Sequence, residues 1–315
     1  MKRKNNLYEE MCKIENIMTI FNEVCRNTRN KRKVAKYKAF KCINIFRVYS
    51  ILSSRSYVPT KPYIFVVHEP KERKIESQTM EDKVINHLVS RFILYPAILP
   101  CLIETNVASR QNKGTNAGLM YFKKYDSICK MKYKTYYILK CDITKFFHSI
   151  NKEKLKNKIA RRIKDKDALD IVFKIIDSEE CGLGIGKMTS QVLAIFYLND
   201  FDHFVKEDLK IKYYVRYQDD FLLFHPSKEY LKECLIKIIE FLKTEDLVLN
   251  KKTRIYKNTN KFIFLGRTSN GKYAKYRRIK RKIKKSYYLY KQGQIKLNSF
   301  MSVLRSYKNL NQKYF

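Results

Sequence analysis

Apolar residues recur at three- and four-residue intervals over residues 7–25 and 35–55, which predicts two N-terminal helices. Tyr63 to His68 (YIFVVH) is a short β-branched and aromatic run and predicts a strand, closed by the polar turn Glu69-Pro70-Lys71. Helical spacing returns over 79–95, and the polar segment Thr105 to Gly118, which holds Gly114 and Gly118, reads as a loop. Tyr136 to Ile143 (YYILKCDI) predicts a strand with an acid near its end, followed by a helix from about Lys152 to Asp177. The passage Gly182-Leu183-Gly184-Ile185-Gly186 leads into Thr189 and Ser190, which fit as caps of a long apolar helix from about Gln191 to Leu209. Tyr213–Val215 and Phe221–Phe224 flank Arg216-Tyr217-Gln218-Asp219-Asp220, two strands around an acidic turn. A helix over 229–244, a strand pair around 253–265 and a very basic helix complete the pattern. The order strand–helix–helix–hairpin–helix–strand predicts an α+β lobe with helices on one face of an antiparallel sheet.

Charge changes the picture most. The 315 residues include 67 Lys and Arg against 30 Asp and Glu, a net charge of +37. A hydrophobic content of 45% supports a packed core, so the charge does not belong to a disordered basic tail. With 24 Tyr and 19 Phe beside those cations, the composition suits a nucleic-acid surface, with cations for phosphates and rings for bases. Residues 272–285 (KYAKYRRIKRKIKK) hold nine cations and no acid. Tyr276, Ile279, Ile283, Tyr287 and Tyr290 mark one helical face there, expected to pack on the body of the protein. Arg277, Arg278, Lys280, Arg281 and Lys284 are then the candidate phosphate contacts. A basic amphipathic helix also suits a membrane surface. Nucleic acid is the expected partner and a membrane is not. The longest apolar run, Phe92 to Ile103, is 12 residues and contains Pro96 and Pro100, and the N-terminus lacks a signal-peptide pattern. Eight Cys and five His without paired spacing indicate neither a zinc module nor a disulfide framework, and a reduced intracellular setting is expected.

Asp219 and Asp220 lie between apolar strands, and Asp142 lies near the end of another. Acids gathered at strand ends repel one another unless cations neutralise them, so a divalent-metal site is the natural reading. Alone, Asp219-Asp220 reads equally well as a hairpin turn.

The neighbouring motifs decide between these. LKCDITKFFHSI (139–150), GIGKMTSQ (184–191), YVRYQDDFLLF (214–224), LNKKT (249–253) and FIFLG (262–266) stand in the order and spacing of the palm motifs of reverse transcriptases. EPKERKIESQTMEDKVINHLV (69–89) and SRQNKGTNAG (109–118) resemble that family's fingers motifs. The resemblance implies a right-hand polymerase: N-terminal helices and fingers over 1–135, palm over 136–270 and a short basic helical thumb over 271–315. It implies Asp142 and Asp219 as principal ligands of two Mg²⁺ ions, with Mn²⁺ as a substitute, Asp220 beside them and the Ile143 carbonyl as a further ligand. Arg73, Lys74 and Arg110 would hold the incoming deoxynucleoside triphosphate. Phe147 would be the steric gate that excludes a 2′-hydroxyl, although Phe is also a common core residue. Gly186, Ser190 and Gln191 would pack against the nascent base pair, with Ser190 alternatively a helix cap. Lys252 would protonate the leaving pyrophosphate, or simply end a strand. Phe264-Leu265-Gly266 resembles the primer grip.

Ile185-Gly186 and Ser190-Gln191 look most like the enzymes of diversity-generating retroelements, whereas group II intron enzymes usually show Gln-Gly and Ser-Pro. Antiphage-defence reverse transcriptases form the alternative, and a non-catalytic RNA-binding module with a polymerase fold is a second. The resemblance implies as partners a template RNA, a primer–template duplex, a structured non-coding RNA and a small accessory protein. It implies a cytoplasmic setting, bacterial or phage-encoded. Asn116 departs from the family, which often has His after Gly-Thr.

Overall fold

In a computed structural model describing residues 3–67, 73–269 and 276–306, the chain divides into two compact units, Met1–Asn258 and Thr259–Phe315. The first opens with four helices, Leu7–Cys12, Ile14–Asn27, Lys31–Ala39 and Lys41–Ser53, where the periodicity predicts two. Lys13, with extended ψ, interrupts the first, and Asn30, whose side chain accepts from the Lys33 amide, starts the third. β1 (Tyr63–Val67) pairs with β2 (Arg73–Ser77) as an antiparallel hairpin. The turn Glu69-Pro70-Lys71 lies outside the described residues.

β3 (Tyr137–Asp142), β4 (Tyr213–Tyr217), β5 (Asp220–His225) and β6 (Arg254–Lys257) build an antiparallel sheet in the order β4-β5-β3-β6. Opposed residues share a face. Leu139, Cys141, Tyr214, Phe221 and Leu223 are buried on one face, in a core shared with Leu193 and Phe201, and with Leu231 and Ile238 of the helix Lys228–Thr244. The α+β reading with helices on one face holds for this core. One end of the opposite face is also covered, by the helix Thr115–Tyr133, whose Phe122 and Tyr125 rings lie 5.9 and 6.0 Å from Phe224. That helix replaces the last residues of the expected loop. The other end carries Lys140, Asp142 and Asp220, all half-buried. The outer edge of β4 is closed by an extended segment, with Val107 N donating to Arg216 O and Arg216 N to Thr105 O (3.0 and 3.1 Å). β6 is the other edge, and its Arg254 and Lys257 are exposed.

Three further expectations are corrected. The helix over 152–177 is two helices, Lys152–Ala160 and Lys166–Asp177, the second capped by Asp165. The helix expected over 191–209 begins at Met188 after the uncapped Lys187 and is broken at Leu198, resuming as Asn199–His203 and a π-helical turn Phe204–Asp208, so its far end falls where expected. Thr189 Oγ1 hydrogen bonds to Asn86 Oδ1 (2.6 Å) instead of capping, and Ser190 is buried. The strand pair around 253–265 does not form, because β6 pairs with β3. The helical stretch Met80–Cys101 has the length and mean hydropathy (1.3) of a membrane span, but Val84, Ile85, Leu88, Val89, Ile93 and Leu94 are core residues of the first unit.

In the second unit β7 (Ile263–Phe264) pairs with β8 (Arg267–Thr268), followed by the helices Tyr276–Lys291 and Leu297–Ser306. Tyr290 stacks on Phe300 with ring centroids 5.5 Å apart, so the aromatic face of the basic helix meets a second helix. Lys280, Arg281 and Lys284 are exposed, while the side chains of Arg277 and Arg278 lie outside the described residues.

Candidate active site

Strand alternation places Lys140 and Asp142 on the same face of β3, and the register sets Asp142 directly opposite Asp220. Gln218 and Asp219 form the two-residue turn between β4 and β5, with Gln218 at φ 54°. Ile143 N donates to Asp219 O (3.2 Å), so all three acids belong to one corner of the sheet. Burial pushes the Asp220 carboxyl up to about 6, Lys140 pulls against this, and Asp142 and Asp219 push it further up. The Lys140 ammonium pairs with Asp220 Oδ1. Among the described residues no three acidic, His or Cys side chains already close into an ion cage. The excess negative charge and hard oxygen donors of Asp142, Asp219, Asp220 and the Ile143 carbonyl nevertheless fit a divalent ion of the Mg²⁺ class.

Asn250, which sequence reasoning passed over, braces this corner. Its N–H donates to Asp142 O (2.7 Å) and its Nδ2 to Asp142 Oδ2 (3.1 Å), while its Oδ1 accepts from Lys252 N (3.0 Å). One side chain thus ties the carboxylate of Asp142 to the backbone of Lys252, whose own side chain is exposed. The signal available was its place in LNKKT, one residue after Leu249, which bridges to Ile143.

A second omission is Arg216, fully buried in an otherwise apolar strand. Its Nε and Nη2 grip the buried Asp202 at 2.6 and 2.5 Å, and its Nη1 donates to Gln218 O (2.9 Å). Tyr214 Oη adds a hydrogen bond to Asp202 Oδ1 (2.7 Å). The carbonyl preceding Asp219 is therefore held by a guanidinium that Asp202 fixes in place. A lone Arg between Val215 and Tyr217 was the legible sign.

The glycine loop joins the β1–β2 hairpin to the start of the palm. Gly182, at φ 57°, passes so close to the backbone of Phe147 and His148 that a Cβ would lie 2.3 Å from Phe147 O. Gly186, at φ 127°, lies against Glu76, where a Cβ would stand 2.6 Å from its carbonyl oxygen. Both positions need glycine on two counts, clearance and backbone angle. Glu76 N donates to Ile185 O (2.9 Å), bringing the loop to the strand that begins Arg73-Lys74, both exposed. Phe146 is the core residue, whereas Phe147 is half-buried beside the loop. Gln191 is exposed and accepts from Ser109 Oγ (3.3 Å), which itself accepts from Gln218 Nε2 (2.9 Å). This chain connects the acidic turn, the Arg110 segment and the motif of Gly186. Arg110 Nη1 donates to Ile103 O and Asn106 O (2.8 and 2.9 Å), so part of this candidate phosphate ligand is engaged within its own loop. Ser190 Oγ is buried without a hydrogen-bond partner.

Phe264, Leu265 and Gly266 belong to the second unit. Leu265 (φ 47°) and Gly266 (φ 78°) form the two-residue turn between β7 and β8, with the positive angles of a type I′ hairpin.

No curated protein matches the chain. Among solved structures, apo telomerase from Candida tropicalis, truncated from its C-terminal domain, is 14% identical with a TM-score of 0.52 and covers 72% of the chain. Telomerase from Candida albicans in complex with a fragment of telomeric RNA is 13% identical with a TM-score of 0.48 and covers 68%. The chain spans 58% and 44% of those two proteins respectively. The family described as reverse transcriptase (RNA-dependent DNA polymerase) matches residues 67–269, well over half of the chain, a span that holds the acidic corner, the glycine loop and the hairpin turn. The chain belongs to the reverse transcriptase family.

Proposed function

We propose that the chain is an RNA-directed DNA polymerase that joins the 3′-hydroxyl of a growing DNA strand to the α-phosphate of a deoxynucleoside triphosphate. The observation that carries this reading is the register of Asp142 against Asp220 beside the turn at Asp219, within the span matched by the family. Reverse transcriptase domains use divalent metal ions. Asp142, Asp219 and the Ile143 carbonyl would hold two Mg²⁺ ions, with Asp220 beside them. Bound there, the ions would activate the attacking oxygen and neutralise charge on the leaving one. Asn250 orients the Asp142 carboxylate, and Arg216 fixes the backbone on which Asp219 is mounted. Phe147 flanks the sugar and disfavours a 2′-hydroxyl, Arg73, Lys74 and Arg110 Nη2 receive phosphate oxygens, and Lys252 donates a proton to the departing pyrophosphate. The primer end rests on Phe264-Leu265-Gly266, and Lys280, Arg281 and Lys284 follow the duplex backbone.

Within the family, the Ile185-Gly186 and Ser190-Gln191 signature supports the diversity-generating type, working with a structured RNA and a small accessory protein. Primer extension on an RNA template with Mg²⁺ tests the activity. DNA synthesis from dNTPs, lost in Asp219→Ala, is expected, and ribonucleotide incorporation at equal rate would overturn the DNA-polymerase reading. Errors concentrated at template adenines in the cDNA are expected of the diversity-generating type.

A further inference from the structure

The β1–β2 hairpin projects without an apolar core of its own. All five residues of β1 are exposed, from 36% at Val67 to 73% at Tyr63, and so are Arg73 and Lys74 of β2. β2 is half-buried only over Ile75–Ser77, where it meets the glycine loop. A lone two-stranded hairpin is marginal in water, so its stance depends on that contact and on polar contacts at its base. One side chain gathers both legs there. Asp82, in the first turn of the helix Met80–Leu88, is buried. From the entering leg, Tyr57 Oη donates to its Oδ1 (2.8 Å) and Thr60 Oγ1 donates to its Oδ2. From the leaving leg, Thr79 Oγ1 donates to the same Oδ2 (2.7 Å) and accepts from the Asp82 amide (3.0 Å).

Capping the helix takes only the bond from the Asp82 amide to Thr79. The carboxylate does something else. A buried charge is costly unless it is hydrogen-bonded, and hydrogen bonds to an ionised group are stronger than those between neutral ones. Three hydroxyl groups from two separate legs therefore converge on it and are held together by it. The network runs on toward the glycine loop. Asn86 Nδ2 donates to Asp82 O (2.9 Å), and Asn86 Oδ1 accepts from the buried Thr189, three residues after Gly186. We propose that Asp82 is a positioning residue. By tying Tyr57 and Thr60 to Thr79 and, through Asn86, to Thr189, it sets the stance of the hairpin against the glycine loop and so presents Arg73 and Lys74 to the triphosphate. The last step rests on the polymerase reading, and the clamp itself does not. A slack hairpin weakens contacts made both before and during the reaction, so it raises KM for the nucleotide more than it lowers kcat.

Steady-state primer extension on an RNA template, with full-length protein and varied dNTP, gives the first readout. Asp82→Asn keeps the side chain's size and replaces one acceptor by a donor. Its KM for dNTP should rise at least about fivefold, with kcat within about twofold of wild type. Thr60→Val removes one hydroxyl and leaves the helix cap untouched, so it should move KM in the same direction, and Thr60→Ser should restore it. Hydrogen exchange gives a second readout that needs no catalysis. In Asp82→Asn and Thr60→Val the amides of β1 and β2 should exchange at least about tenfold faster, while those of β3 and β5 stay protected. Unchanged KM in both variants of an active enzyme would overturn the positioning role. Unchanged exchange of the hairpin would overturn the clamp, as would faster exchange confined to the helix Met80–Leu88, which would make Asp82 a cap alone. A wild-type protein that extends no primer would sink the polymerase reading and the nucleotide step with it, and the exchange experiment would still decide whether Asp82 clamps the hairpin.

Discussion

At the scale of single residues, the acidic corner illustrates how gathered, half-buried carboxylates destabilise the fold that carries them. Asp220 is raised to about 6 by burial first, with Lys140 opposing and the other two acids assisting. A carboxyl whose folded pKa exceeds its unfolded one binds more protons in the native state, so its unfavourable contribution appears as pH rises through the interval from about 4 to 6. In metal-free protein Asp220→Asn should therefore raise stability at pH 7 by about 3 kcal/mol, with the gain vanishing below about pH 4. Denaturant melts at the two pH values check this, and equal gain at both would contradict it. Arg216 stands at the opposite extreme. Its substitution by Met leaves Asp202 charged, buried and unpaired, so a loss of about 3–5 kcal/mol is expected in urea unfolding. Tyr214→Phe removes only one hydrogen bond to the same carboxylate and should cost about 1 kcal/mol. Neither group was legible in the sequence as part of a network, because Asp202 and Arg216 lie on different elements and only packing brings them together. Asp142, Asp219 and Asp220 were legible as a group through the order and spacing of the motifs around them, since Asp219-Asp220 alone reads equally well as a hairpin turn.

At the scale of elements, apolar periodicity revealed most helices and missed what tertiary contacts create. The strand Arg73–Ser77 (RKIES) has no strand pattern of its own and is extended because β1 supplies hydrogen-bond partners. The helix Thr115–Tyr133 starts in a glycine-containing polar stretch, although Phe122, Tyr125 and Cys129, spaced by three and four, mark its buried side. The helix at Met188 illustrates a different device. Its preceding Lys187 is buried and lies 2.7 Å from Glu179 and 2.8 Å from Glu76, anchoring the helix start to both the glycine loop and the hairpin. Burial drives the Glu179 carboxyl upward while Lys187 pulls it down, and both Glu residues hold the Lys187 ammonium charged despite its burial. Lys187→Met should loosen the hairpin from the loop. Hydrogen exchange at the Glu76 amide, which donates to Ile185 O, should accelerate by at least about tenfold, while the amides of β3 and β5 stay protected. Unchanged exchange at Glu76 would show that the backbone hydrogen bond suffices without the anchor.

Across the whole molecule, charge and topology act together. The net charge of +37 gives a long-range attraction to any polyanion, whereas the proposed chemistry rests on a few acids at one corner. Asp219→Ala should abolish primer extension and leave nucleic-acid affinity within about twofold, measured by anisotropy at fixed salt. Parallel loss of both would mean that the acidic corner organises the binding surface.

The edges of the central sheet have a consequence for solubility. The segment 105–107 occupies the hydrogen-bonding rim of β4, and among the described strands β6 is the other rim, with the exposed Arg254 and Lys257 on it and Lys251 and Lys252 just before it. Like charge on such a rim keeps two molecules from adding strand to strand. A polyanion that neutralises those cations removes the protection along with the charge. Titration with nucleic acid should therefore pass through a turbid zone near charge equivalence and clear when the polyanion is in excess, the phase behaviour of a colloid stabilised by its own surface charge.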